Sequence, residues 1–252
     1  MYVYMGHMQY EHLKPYEDSF WKKNRIELKR ARVEKIDFRE KTLQFSLGEP
    51  MKYDTLVLAT GSVPNKYGWE GQDLKGVQGL VSLQDLEMLE ENTKHCKKAV
   101  IVGGGLIGVE MAEMLHSRKI EVTLLVRESG FWANVLPEND AHLLSEHISS
   151  HGIEIRHNTL LNKILPDENG RVRAVITGDG EKIDCDLVGL CTGVRPNIDF
   201  LKNTELETDL GILVDPYLET NIPGVYAIGD CAQQREAIGL RKSVEAVWYT
   251  GR

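Results

Sequence analysis

Three glycines carry the clearest chemical potential: Gly103, Gly105 and Gly108, spaced G-x-G-x-x-G within AVIVGGGLIGVEMAEMLHSRKIEVTLLVRES, residues 99–129. This spacing suits a pyrophosphate. The first glycine permits a tight turn, the second lets a phosphate approach the backbone, and the third lets helix and strand pack closely. A helix that starts at the turn adds unpaired N–H groups and the positive end of its dipole. A second group stands at the end of the following strand, where Arg127 and Glu128 are adjacent. An acid at that place binds the adenosine ribose hydroxyls of NAD, whereas an arginine accepts the 2′-phosphate of NADP. With the two side by side, the residues leave the choice between NADH and NADPH open. A third candidate is Asp230, which follows Gly229 after the apolar run 225–228 and so puts a carboxylate at the carboxyl end of a strand. Open α/β sheets bind ligands there. An aspartate capping a helix or turn is the alternative.

Other chemistry is poorly provided for. Cys96, Cys185, Cys191 and Cys231 form no CxxC pair and no zinc-knuckle spacing. They read as partly buried thiols of a reducing compartment. Among the eight histidines only His147 and His151 share helical spacing, and they read as a solvated helix face. With no Ser-His-Asp or paired-carboxylate constellation, neither a catalytic side chain nor a metal site is expected.

The glycines need a strand before them and a helix after. Residues 99–102 form a short apolar run expected as a buried parallel strand. Leu106, Ile107, Val109, Met111, Met114 and Leu115 recur at helical spacing, and Arg118-Lys119 place positive charge in the last turn. Residues 120–126 read as the second strand. Together these complete the βαβ context of a dinucleotide fingerprint, against the alternative of a glycine turn that binds nothing. A helix is expected over 138–150, with Leu143, Leu144 and Ile148 on one face and Gly152 as its C-cap. Residues 153–155 read as a third strand. Stretches 160–165, 172–177 and 182–184, separated by turn residues 167–170 and 179–180, predict a β-meander, and 187–191 a further buried strand. After Gly229-Asp230, a helix from about Gly239 carrying Val244, Val247 and Trp248 is expected.

A repeat then exposes the architecture. KYDTLVLATGSVPN (52–65) overlays DCDLVGLCTGVRPN (184–197) at a constant offset of 132, pairing Asp54 with Asp186, Thr60 with Thr192, Gly61 with Gly193 and Asn65 with Asn197. Upstream, Ile26-Glu27-Leu28 meets Ile153-Glu154-Ile155 at an offset of 127, the small difference being absorbed in the meander turns. One module occurs twice. The counterpart of Gly103 in the first copy falls before Met1, so the first phosphate loop is expected to be missing and the chain to be a fragment.

Composition bounds the rest. The 252 residues are 42% hydrophobic and 27% charged, as in a globular protein of one large or two small domains. A formal charge of -8 supplies no global basic field for nucleic acid or an anionic membrane. The longest apolar uncharged stretch, 99–109, has 11 residues and four glycines, too short to cross a bilayer. The N-terminus lacks a secretory signal pattern, so a cytoplasmic location is the default.

With VIVGGGLIGVE, LATGSVPN, CTGVRPN and IPGVYAIGDCA in this order, the sequence resembles the pyridine nucleotide-disulfide oxidoreductase superfamily. It is most similar to the NAD(P)H:rubredoxin or ferredoxin reductase, nitrite reductase flavoprotein and coenzyme A disulfide reductase types. The resemblance implies an α/β fold of two Rossmann-like FAD- and NAD(P)-binding domains, with parallel sheets and β-meander crossovers and the FAD domain incomplete. Residues 1–78 and 200–252 would be FAD-domain pieces and 79–199 the NAD(P)H domain. A C-terminal interface domain, often used for dimerisation, would lie beyond this chain, which leaves a homodimer as one implied state. Carried over by residue, Gly103, Gly105 and Gly108 would hold the NAD(P)H pyrophosphate, with Arg127 and Glu128 at its adenosine end. Glu110 and Gly193 would flank the nicotinamide, although Glu110 could instead complement the helix dipole. Thr60 and Gly61 would sit against FAD, and Asp230 would bond a ribityl hydroxyl. The implied chemistry is hydride transfer from NAD(P)H to FAD and delivery of electrons to an acceptor: rubredoxin, ferredoxin, a disulfide, a nitrite-reducing partner or oxygen. The rival is a catalytically incompetent fragment that binds NAD(P)H but not FAD stably. A Rossmann-type methyltransferase or sugar-nucleotide enzyme ranks last, since it explains neither the repeated TG-x-x-PN ends nor the Gly-Asp strand.

Overall fold

The computed structural model describes residues 1–236; the helix expected from about Gly239, with Val244, Val247 and Trp248, lies outside the described residues. In chain order, a short helix α1 (Asp18–Lys23) precedes an antiparallel meander of β1 (Val33–Asp37), β2 (Thr42–Phe45) and β3 (Met51–Lys52). Next come β4 (Leu56–Leu58), β5 (Ser62–Pro64), β6 (Val77–Gln78), α2 (Leu83–Thr93), β7 (Lys98–Val102), α3 (Leu106–Ser117), β8 (Glu121–Leu125), α4 (Glu138–Ser150) and β9 (Glu154–Arg156). A second meander, β10 (Leu161–Pro166), β11 (Val172–Thr177) and β12 (Lys182–Asp184), leads to β13 (Leu187–Leu190) and β14 (Val194–Pro196). The described chain closes with β15 (Ile212–Val214), β16 (Val225–Ala227) and β17 (Ala232–Gln234). No helix among the described residues is long and apolar enough to cross a membrane.

The chain divides into two units, Met1–Lys14 with Pro64–Gly193, and Pro15–Val63 with Val194–Arg252. These divisions fall earlier than residues 78 and 199, and they set the first 14 residues with the middle of the chain. Tyr4 is the reason for the latter. Its ring is 2% exposed, its hydroxyl donates to Thr93 Oγ1 at 2.9 Å, and the Arg118 guanidinium lies 3.5 Å over the ring.

The first unit is built on a parallel sheet of order β6-β13-β7-β8-β9. Its central strands β13, β7 and β8 are each buried over four successive residues because both faces are covered. Ala99, Ile101, Val122, Leu124 and Leu187 join the core with Met111, Met114 and Leu115 of α3. Val100, Val102, Leu125, Val188 and Leu190, one residue out of phase, pack against Ile164 and Val175 of the second meander. Helix α4 has the expected bounds but turns another face inward. Ala141, Ser145 and Ile148 are buried, whereas Leu143 is 65% exposed. Ser145 Oγ donates to the Ala141 carbonyl and accepts the Phe131 N–H, so a hydroxyl with local partners takes the place expected for a leucine. The helix caps at His151, with Gly152 following at φ +87°.

The second unit pairs β4 with β16 and β15 with β17, both parallel, and β5 with β14. The repeat is visible in the elements: β3, β4 and β5 correspond to β12, β13 and β14 in order and type. The exception is upstream. Residues 26–28, which the repeat aligns with 153–155, have no regular structure, and Ile26 and Leu28 are 44% and 64% exposed. Their counterpart β9 is held by the parallel ladder to β8. Residues 26–28 make no such ladder among the described residues.

Cys185, Cys191 and Cys231 are buried and Cys96 half-buried, and none of the four is in a disulfide. Burial pushes the thiols of Cys185 and Cys191 up to about 12. Folding therefore holds them protonated where the unfolded chain would ionise them, so their contribution is complete below about pH 9 and lost as pH climbs toward 12. In urea titrations the drop in stability between pH 8 and pH 10.5 should be smaller in the Cys185→Ala/Cys191→Ala variant than in the wild type.

Candidate functional site

In the first unit a cavity of about 590 Å³ opens along the carboxyl ends of β13, β7 and β8. Gly103, Gly104 and Gly105 line its middle. Arg127, Glu128, Trp132 and Asn134 come from the segment leaving β8, and Cys191, Thr192 and Gly193 from the end of β13. Tyr67, Trp69 and residues 159–161 complete the wall.

Each glycine is present for a physical reason. Gly103 has φ +126°, and a β-carbon there would overlap the Cys191 carbonyl. A β-carbon on Gly108 would overlap the Gly103 carbonyl, so the helix could not seat on the turn. Gly105 differs: nothing lies within 4 Å of where its β-carbon would be. That space belongs to the cavity. Gly105 is also the N-cap of α3, and no side chain caps the helix there. The first N–H groups of an α-helix lack intrahelical partners and carry the positive end of the dipole. The cradle therefore fits a phosphate group.

At the β8 end, the Arg127 guanidinium donates to Glu128 Oε1 at 2.7 and 3.1 Å. The arginine side chain is 73% exposed and the glutamate 27%. Both sequence-level readings of the strand end are therefore present in one ion pair. At the other end the Tyr67 hydroxyl donates to the Thr192 carbonyl at 3.5 Å, and its ring meets Trp69 edge-on at 5.2 Å.

The structure brings Gly103, Gly105, Arg127, Glu128 and Gly193 to one cavity. Gly108 lies beneath the turn rather than on the wall, and Glu110 is exposed on α3 outside the lining. Thr60, Gly61 and Asp230 belong to the second unit. There Asp230 Oδ2 accepts the Ser62 hydroxyl at 3.1 Å, and Thr60 Oγ1 donates to the Asn197 carbonyl at 2.9 Å. Gly61 has φ +63° with open space at its β-carbon position. Sequence reasoning missed Tyr67, Trp69, Trp132, Asn134 and the 159–161 wall. The aromatics beside the repeat end at Asn65 and after Glu128 were the available signal. Among the described residues no group of three or more His, Cys, Asp or Glu is placed to hold a metal ion.

The family profile described as pyridine nucleotide-disulphide oxidoreductase matches residues 9–247. The chain is 31% identical over 217 residues to a nitrite reductase (NAD(P)H) of Bacillus subtilis (strain 168), covering 86% of this chain and 27% of that protein. It is 31% identical over 224 residues to a rubredoxin-NAD(+) reductase of Pseudomonas putida, covering 88% of this chain and 57% of that one. Its structure is similar to that of the ferredoxin reductase for the CYP199A2 system from Rhodopseudomonas palustris, with a TM-score of 0.85 and 28% identity over 95% of this chain and 59% of that one. The chain thus spans between about a quarter and three-fifths of the length of these relatives.

Gly108 and Gly105 should separate by substitution. Gly108→Ala, which meets backbone, should cost about 1–3 kcal/mol as an overpacked contact. Gly105→Ala meets no neighbouring atom and should cost no more than about 1 kcal/mol, the usual loss on placing alanine at an N-cap. Urea unfolding of both variants measures the difference.

Proposed function

The chain belongs to the pyridine nucleotide-disulphide oxidoreductase family, and on that premise we propose that it serves hydride transfer from NAD(P)H to FAD, with electrons then passing to a small redox protein or a disulfide. The observation that carries the reading is the open space at Gly105, at the uncapped start of α3 and on the wall of the cavity. Bound together, the two cofactors would supply a hydride donor and its acceptor. Everything else is positioning, since the hydride step itself requires no general acid or base from the protein.

In this reading Gly103 and Gly108 shape the turn, and Gly105 and the N–H groups beyond it hold the pyrophosphate. Arg127 and Glu128 meet the adenosine ribose. Gly193 and Glu110 are assigned to the nicotinamide side. In the second unit, Gly61 and the backbone of Thr60 are assigned to the wall against FAD. The Thr60 hydroxyl is already committed to Asn197. Asp230, at the carboxyl end of β16, is assigned to a ribityl hydroxyl of FAD. The similarity to a rubredoxin reductase and a ferredoxin reductase supports an acceptor of the redox-protein class.

The test is spectroscopic. Reconstituted with FAD, the protein should show the flavin absorbance band, and anaerobic NAD(P)H should bleach it. A band that persists would overturn the reading. Gly105→Val, which fills the open space, should raise the apparent Kd for NAD(P)H at least about tenfold, equivalent to about 1.4 kcal/mol. Arg127→Gln should weaken NADPH about tenfold while leaving NADH within about twofold, as expected for loss of a charge-assisted bond to the 2′-phosphate. Equal losses would remove Arg127 from cofactor selection.

A further inference from the structure

Trp132 is the one tryptophan among the described residues with a left-handed backbone, at φ +57°. Large side chains avoid this region, and strain of this kind clusters at functional sites. Three backbone bonds hold it there. The Trp132 N–H donates to the Gly104 carbonyl at 3.0 Å, and the Trp132 carbonyl accepts the N–H groups of Val135 and Leu136, both at 3.0 Å. The preceding residue, Phe131, is 3% exposed, and its N–H donates to Ser145 Oγ. Phe131 thus anchors the segment in the core, while the indole of Trp132 is half-buried and lines the cavity. The strained residue is tied to the glycine turn by its backbone and lines the same cavity, while its side chain also packs against the core cluster of Met111, Leu124 and Phe131.

We propose that the Trp132 indole is the stacking face for the purine ring of the bound dinucleotide, an assignment that rests on reading this cavity as a nucleotide site. Three features point the purine toward Trp132 rather than toward the other aromatics. Arg127 and Glu128, the pair suited to the adenosine ribose, lie four to five residues before Trp132 on the same segment. Tyr67 stands with Thr192 at the β13 end, and Trp69, edge-on to it, packs on the meander side against the cluster of Leu161 and Ile164. The glycine turn, where the pyrophosphate would sit, lines the cavity between the β8 and β13 ends. An indole face stacks on any base without needing its polar edge to be read. Trp132 therefore sets affinity for the adenosine half, and the adjacent ion pair sets the choice at its ribose.

The experiment titrates the full chain with ADP-ribose and, separately, with reduced nicotinamide mononucleotide, by calorimetry. Trp132→Leu keeps an apolar group without a π face, and Trp132→Phe keeps a smaller π face. Trp132→Gly removes the indole while relaxing the backbone, since glycine adopts this φ freely. ADP-ribose should bind about tenfold more weakly to the Leu and Gly variants and within about threefold of wild type to the Phe variant. The mononucleotide should bind all four proteins alike. ADP-ribose should also quench the indole emission of the wild type, with the quench much reduced in Trp132→Phe. Losses shared equally by ADP-ribose and the mononucleotide would overturn the proposal, as would unchanged binding to the Leu and Gly variants. Were those variants unchanged while Gly105→Val lost ADP-ribose, only the stacking would fall. Should ADP-ribose fail to bind the wild type, the nucleotide reading of the cavity falls as well.

Discussion

The arrangement of the first unit hangs on a backbone approach that tolerates no side chain. The Cys191 carbonyl at the end of β13 occupies the place a β-carbon on Gly103 would need, and the Gly103 carbonyl does the same to Gly108. Turn, strand end and first helical turn are thereby stacked main chain against main chain. Gly104 extends the constraint sideways, since a β-carbon there would lie 2.6 Å from a Val126 methyl. Deeper in the sheet, Gly189 of β13 leaves room for Met111 of α3, whose sulfur would lie 2.7 Å from a β-carbon at that position. The helix is therefore drawn down onto the sheet along its length. The start of the helix, which no side chain caps, is left at Gly105, where the space for a β-carbon is open.

The duplicated motif solves a different problem twice. In the second unit the Asn197 N–H donates to the Gly61 carbonyl, its side-chain amide donates to the Thr60 carbonyl, and the Thr60 hydroxyl donates to the Asn197 carbonyl. In the first unit the Asn65 N–H donates to the Gly193 carbonyl, its amide donates to the Thr192 carbonyl, and the Thr192 hydroxyl donates to the Asn65 carbonyl. Each copy of TG-x-x-PN supplies the threonine-glycine half of one closure and the asparagine of the other. Glycine serves because both Gly61 and Gly193 have positive φ. This exchange gives the offset of 132 a physical meaning: the same residue types recur because the same three hydrogen bonds recur.

Much of this was legible in the chain, and the exceptions share a cause. The bounds of α4, β11 and β12, and nearly those of β7, β8 and α3, follow from apolar periodicity and turn residues, because those elements bury what their pattern marks as apolar. Residues 26–28 carry the same apolar alternation as their counterpart, yet form no strand, because a strand is a property of a ladder and no partner strand lies beside them among the described residues. Leu143 misled for a related reason. Helical spacing identifies a face, but the small Ala141 and the self-satisfied Ser145 permit closer packing, so α4 rotates to bury them. Trp132 was illegible because nothing in its type announces a left-handed backbone. Its position comes from a hydrogen bond to Gly104, 28 residues earlier in the chain.

The ion pair at the end of β8 shows why residue type alone does not decide which cofactor form a strand end prefers. An arginine near this position favours a 2′-phosphate only in proportion to what it gives up to meet one. Here the guanidinium already bonds Glu128 through two nitrogens, in a pair whose arginine is largely exposed. Such a pair is worth only about 0–1 kcal/mol, so breaking it is a small penalty. The larger effect is what remains behind. A phosphate drawn to Arg127 also meets the Glu128 carboxylate, and that repulsion grows as the ligand excludes water. A bare ribose meets a carboxylate able to accept its hydroxyls and an arginine that can keep its partner. Preference for the phosphorylated cofactor therefore depends on whether the Glu128 side chain can turn away while Arg127 stays, a matter of rotamers at one residue rather than of the presence of an arginine.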